Sequence, residues 1–146
     1  MKKIIILLSV AFMTSTVAFA EYEQSGDING HEVFIKHCKM CHIEMIAVTE
    51  AMKRSKTLQA PPMVEVSTRL KEMILLKEED EDVKRELILT FMRDYIMNPN
   101  MDKSMCHLGA LDRFDLMPSQ KGIITDEEAQ AVTEWIYDYY ASKASK

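Results

Sequence analysis

Cys38-Lys39-Met40-Cys41-His42 is the stretch on which the reading of this chain turns. Two thiols three positions apart can bridge, share a metal ion, or bond to two separate substituents of one planar ligand. A histidine directly after the second cysteine selects among these. As C-x-x-C-H the stretch is the attachment signature of a c-type haem: both thiols become thioethers on the porphyrin vinyl groups, and the imidazole is set beneath the iron as proximal ligand. The competing chemistries account for less. A zinc site needs a second ligand pair, and only Cys106 remains, 65 residues beyond Cys41. A thioredoxin-like dithiol belongs near a βαβ pattern, and no convincing strand is found. A structural disulfide between Cys38 and Cys41 leaves His42 without a role.

The N-terminus supplies the compartment this chemistry needs. Lys2 and Lys3 precede an apolar core, residues 4–12, interrupted only by Ser9, and Ala18-Phe19-Ala20 is an A-x-A cleavage site. The apolar run is too short for a stable anchor, and no second stretch of spanning length follows. The expectation is export to a bacterial periplasm, cleavage after Ala20, and a mature chain over residues 21–146 that is not an integral membrane protein. Loss of Lys2 and Lys3 takes the formal charge from −5 to −7. That balance argues against nucleic acid and suits docking on a basic patch of a redox partner. The remaining length suits one domain, read as a polar lead-in over 21–29, the domain itself over 30–141, and a polar tail over 142–146.

Periodicity makes that domain helical. Asn29 or Asp27 can cap a first helix over Gly30–His37 that delivers Cys38 at its end, with Val33, Phe34 and His37 on one face. Residues 43–59 are weakly amphipathic, a loop with some helix, broken by Pro61-Pro62. Residues 64–76 read as a helix, although Val64-Glu65-Val66 also suits an extended start. Asp80 opens a stronger helix in which Val83, Leu87, Phe91 and Tyr95 recur every four residues until Pro99 stops it. In the last helix, Thr125-Asp126-Glu127-Glu128 is a capping box, and Ala129, Val132, Ile136 and Tyr139 form one apolar face bordered by Trp135 and Tyr140. The expected fold class is all-α, with about four helices.

This succession resembles a class I, monohaem cytochrome c. The residues that carry the resemblance are Gly30 with Val33-Phe34, the C-x-x-C-H stretch, a proline in the following loop, Leu116-Met117-Pro118, and the aromatic-rich last helix. The chain is most similar to small periplasmic members with an Ala-Pro-Pro-Met segment, here residues 60–63, and the likeness extends over roughly residues 30–140. It implies a bundle whose N- and C-terminal helices cross, with one covalently attached haem c in a cleft. It implies iron held by His42 and Met117, and a carbonyl of Pro61 or Pro62 accepting a hydrogen bond from the His42 ring, which fixes its tautomer. Ile43 follows His42 where the family commonly has glycine, so the path from His42 to Pro61 does not follow from the resemblance.

The sixth ligand can also be sought among the residues themselves. Ten of the twelve methionines remain after cleavage. Met40 lies inside the motif, Met73 and Met92 suit apolar packing within helices, and Met45 and Met52 are too near the proximal side in sequence. Met63, Met97, Met101, Met105 and Met117 remain. Met117 is favoured because Pro118 fixes an irregular backbone and residues 109–124 have no periodicity of their own; Met101, Met105, His107 or an open position are the alternatives. His31 and His37 read as surface or packing residues. Lys103 stands three before Cys106, so Cys106-His107 is no second attachment site. Cys106 is the odd thiol of an exported chain, expected buried as a small apolar residue ahead of forming a disulfide dimer.

Iron between imidazole and thioether has no open position, and passes single electrons with little rearrangement. The expected role is a periplasmic electron carrier serving periplasmic or membrane-bound redox partners. The alternatives are an electron-transfer subunit of a periplasmic dehydrogenase or sulfur-oxidising complex, and a haem sensor or peroxidase with an open distal site. No acid–base constellation accompanies the motif, so an enzyme is not expected.

Overall fold

Asn29 starts the first helix. Its side-chain oxygen accepts from the backbone N–H of His31 (3.0 Å) and Glu32 (3.3 Å), two donors that a helix start leaves unpaired. Helix α1, Gly30–His37, buries Val33 and Phe34. Its partner is the last helix, Asp126–Ala144, here α6. A Cβ on Gly30 would lie 2.1 Å from the Ala131 carbonyl oxygen and 2.7 Å from the Trp135 Cβ, so the two helices meet backbone against backbone. Trp135 fills the contact, with the His31 ring stacked on it at 4.7 Å and Phe34 at 5.1 Å. The capping box forms as its residues predict: Glu128 N–H donates to Thr125 Oγ1 (3.1 Å) and Thr125 N–H to Glu128 Oε2 (3.0 Å).

The computed structural model describes residues 28–74, 80–106 and 108–144. The expected export signal with its expected cleavage site, most of the lead-in, His107 and the end of the tail lie outside the described residues. Between the terminal helices run α2 (Val48–Lys53), a 3-10 turn (Ser55–Thr57), α3 (Met63–Met73), α4 (Glu81–Met97) and α5 (Leu108–Phe114). The fold is all-α; among the described residues the single β feature is an isolated bridge between Lys121 and Ile124. None of the described helices is long and apolar enough to cross a membrane.

Val33 and Phe34 of α1, Met63 and Leu70 of α3, Ile88 and Met92 of α4, and Val132, Ile136 and Tyr140 of α6 form one buried cluster. Each such side chain removed from water contributes roughly 1.5–3 kcal/mol. Arg85 adds an ion pair to Asp138 (3.1 Å) between α4 and α6, of little weight on a wet surface.

Val64-Glu65-Val66 is helical, inside α3, in keeping with the helix expected over residues 64–76. Four other local expectations are corrected. The α4 row fails at its upper end: Val83 and Leu87 are exposed, while Ile88, Leu89 and Met92 are buried. On α6 the buried tyrosine is Tyr140, not Tyr139. Its burial is possible because its hydroxyl donates to the Glu44 carbonyl, whereas Tyr139 is half-buried on the Trp135 ring. Residues 109–124 are not wholly irregular, since α5 occupies their start; seven residues are too few to reveal a helical period. The last helix also runs through Ala144, into the segment read as tail.

Candidate functional site

The backbone keeps turning after α1. Cys41 N–H and His42 N–H both donate to the Cys38 carbonyl, at 3.1 and 2.9 Å. This turn sets Cys38, Cys41 and His42 together on the wall of a cavity of about 660 Å³, within the range of sites that enclose small molecules and cofactors. The lining also includes residues of α3, Phe91, Tyr95 and Ile96 of α4, and Leu116, Met117 and Pro118.

His42 is oriented by one bond. Its Nδ1 lies 2.8 Å from the Pro61 carbonyl oxygen. A carbonyl only accepts, so Nδ1 carries the proton and Nε2 keeps its lone pair. Of the two prolines considered, Pro61 makes this bond; Pro62 is buried and stands immediately before α3. The stretch after His42 is held on both sides. Met63 N–H donates to the Ile43 carbonyl (2.9 Å), Tyr140 donates to the Glu44 carbonyl, and the Glu44 carboxylate lies 3.3 Å from His31 Nε2. Ile43 is therefore accommodated by a link pinned to α3 and α6. Burial lowers the His42 pKa below its ordinary value, against a smaller upward pull from the Pro61 bond.

Burial, with Cys41 beside it, pushes the Cys38 thiol up to about 11. That is far from the thiolate that dithiol exchange or zinc binding requires. Among the described residues no three His, Cys, Asp or Glu side chains cluster as a cation site, so a zinc centre built on this pair lacks its other ligands.

Of the methionines kept as candidates, Met63, Met105 and Met117 line the cavity. Met101 is exposed in a turn. Met63 stands two residues after Pro61, on the side that holds His42. Met105 packs against the core, and its carbonyl accepts from Arg69 Nε at 3.2 Å. Met117 sits on a strap without helix or strand, residues 115–120, in the manner expected of it.

Two further residues border the cavity. His37 lines the cavity, and its Nε2 is buried without a hydrogen-bond partner, a deficit of about 1–3 kcal/mol unless a guest supplies one. Cys106 is exposed at the cavity's edge, which corrects the expected burial. Its neighbours in sequence gave no helical period from which either side could be chosen. Two thiols, an imidazole with a free Nε2, a thioether, apolar walls and an orphaned buried nitrogen together form a donor set that fits haem c.

No family model matches this chain, and no solved structure matches it. It is similar to an uncharacterized protein of Aquifex aeolicus (strain VF5), 33% identical over 149 aligned residues that cover 96% of this chain and 89% of that protein. The chain belongs to that protein's family. The similarity spans nearly the whole of both chains, well beyond any single motif.

Proposed function

We propose that this protein is a periplasmic single-electron carrier of the cytochrome c type, with one haem c joined to Cys38 and Cys41 and its iron held by His42 and Met117. The reading is carried by one observation: Cys38, Cys41, His42 and Met117 face a single apolar cavity while His42 Nδ1 is committed to Pro61. Bound there, the haem supplies one-electron chemistry at an iron with no open position. The chain's own residues do the rest. The Cys38 and Cys41 thiols would each hold the haem through one thioether, formed by addition across a vinyl group with no oxidant needed. The Pro61 bond holds the imidazole in the tautomer that leaves Nε2 for the metal and makes it a better donor. The thioether, a soft acceptor, favours the ferrous state. Phe91, Tyr95, Leu116 and Pro118 help wall the cavity. The acidic mature chain would meet its redox partners by charge complementarity.

Visible spectroscopy of the purified protein, oxidised and reduced, tests the ligand set. The expected result is a low-spin spectrum with a far-red methionine-to-iron charge-transfer band. Met117→Ala should remove that band, lower the reduction potential and open the ferrous protein to carbon monoxide. Met105→Ala and Met101→Ala should do none of these. Loss of the band in Met105→Ala with Met117→Ala unaffected would reassign the ligand. Ready carbon monoxide binding by the unmodified protein would replace the closed carrier with an open distal site.

A further inference from the structure

Pro99 stops α4 and leaves its last carbonyls without partners inside the helix. Two of them are taken by the strap that carries Met117. The Ile96 carbonyl accepts from Gln120 N–H at 3.0 Å, and the Met97 carbonyl accepts from the Ser119 hydroxyl at 2.5 Å. We propose that Ser119 is a positioning residue for the Met117 thioether, clasping the strap to the end of α4 and so setting how firmly Met117 stays on the iron. The inference rests on Met117 as sixth ligand and adds what governs its hold.

The Ser119 hydroxyl is committed in both directions. It accepts from Lys121 N–H at 3.1 Å while donating to Met97, so its proton is aimed along one line. Gln120 stiffens the same turn, its side-chain amide donating to the Pro118 carbonyl at 3.1 Å. The strap is bounded by two left-handed residues, Asp115 (φ 58°) and Gly122 (φ 79°), where the chain changes direction. Among the described residues, both hydrogen bonds from residues 116–121 to another element end on α4. That helix also gives the cavity Phe91, Tyr95 and Ile96, so the clasp fixes the Met117 wall against the α4 wall. Ser119 itself does not line the cavity; it acts through Met117, two residues away. Met105, the other thioether on a loop at this wall, is held separately through Arg69, so releasing Ser119 loosens one candidate ligand and leaves the other in place.

Ser119 is exposed, so Ser119→Ala removes a hydroxyl and no packing. The measurement is the rate at which carbon monoxide binds the ferrous protein, which requires Met117 to leave the iron. A net hydrogen bond of ordinary strength predicts an acceleration of roughly three- to tenfold in Ser119→Ala. Ser119→Thr, which keeps the hydroxyl, should bind at the unmodified rate. Thr125→Ala breaks the α6 capping box away from the strap; it should lower the denaturation midpoint and leave the carbon monoxide rate unchanged. An unmodified rate in Ser119→Ala, beside a normal far-red band in the parent protein, overturns the clasp alone. Equal acceleration in Thr125→Ala overturns it too, since general loosening would then suffice. A parent protein with no far-red band overturns Met117 ligation, and the clasp with it.

Discussion

His42 is held neutral and in one orientation by ordinary forces, as its proposed place on iron requires. Burial favours its neutral form, and the Pro61 carbonyl decides which nitrogen holds the proton. Because the folded pKa lies below the ordinary 6.5, the unfolded chain binds a proton below that pH which the folded chain refuses. In the haem-free chain this contribution to stability is present above 6.5 and falls as pH drops through the window beneath it. With Nε2 on iron a proton must displace the metal, which has the same sign, so the low-spin spectrum should be lost as pH falls; a low-spin spectrum that survives acid unfolding would contradict the assignment. At this scale the sequence was most informative where its signal was local. The C-x-x-C-H turn is read from five adjacent residues, and its geometry is set by one carbonyl, that of Cys38. The carbonyl partner of His42 is 19 residues away, and only the resemblance pointed to a proline there. The helix face that groups His37 with Val33 and Phe34 agrees with its buried Nε2, whereas the exposure of Cys106 depends on what packs across from it, which no local pattern encodes.

Helices were legible by their caps and less so by their faces. Asn29, Asp80 and Thr125 each accept the backbone donors that their residue type predicts. Faces failed where a helix serves two neighbours. α4 turns Ile88 and Met92 to the core and Phe91 and Tyr95 to the cavity, so a single four-residue row could describe only part of it. On α6 both Tyr139 and Tyr140 lie within reach of the apolar face, and the buried one is Tyr140, whose hydroxyl donates to the Glu44 carbonyl. The α1–α6 contact yields a prediction at this scale. Gly30→Ala puts a methyl group where the Ala131 carbonyl already lies, and neither backbone can yield without separating the helices. The expected cost is about 3 kcal/mol, read as a lower denaturation midpoint with helical content retained. An unchanged midpoint would show that the two helices do not meet as closely as described.

Across the whole molecule, core and cavity share walls. Met63, Leu70, Met92 and Ile136 belong both to the buried cluster and to the cavity lining, so a guest in the cavity completes the packing of the core. A covalent guest stays on the chain folded or unfolded, so it favours the folded state through the burial and iron ligation it gains there rather than by mass action. Polypeptide made without a haem-attachment system should therefore give a weak helical circular dichroism signal and no cooperative melt. A native, cooperative signal from that sample would mean the core closes without a guest. The central claim is that the cavity holds a haem bonded to Cys38 and Cys41. Its most direct test is the intact mass of the purified protein after acid denaturation, which strips any haem that is not covalently attached. The account predicts a chain beginning at Glu21 and carrying one haem, lost when Cys38 and Cys41 are both changed to serine; an unmodified polypeptide from the native protein would contradict it.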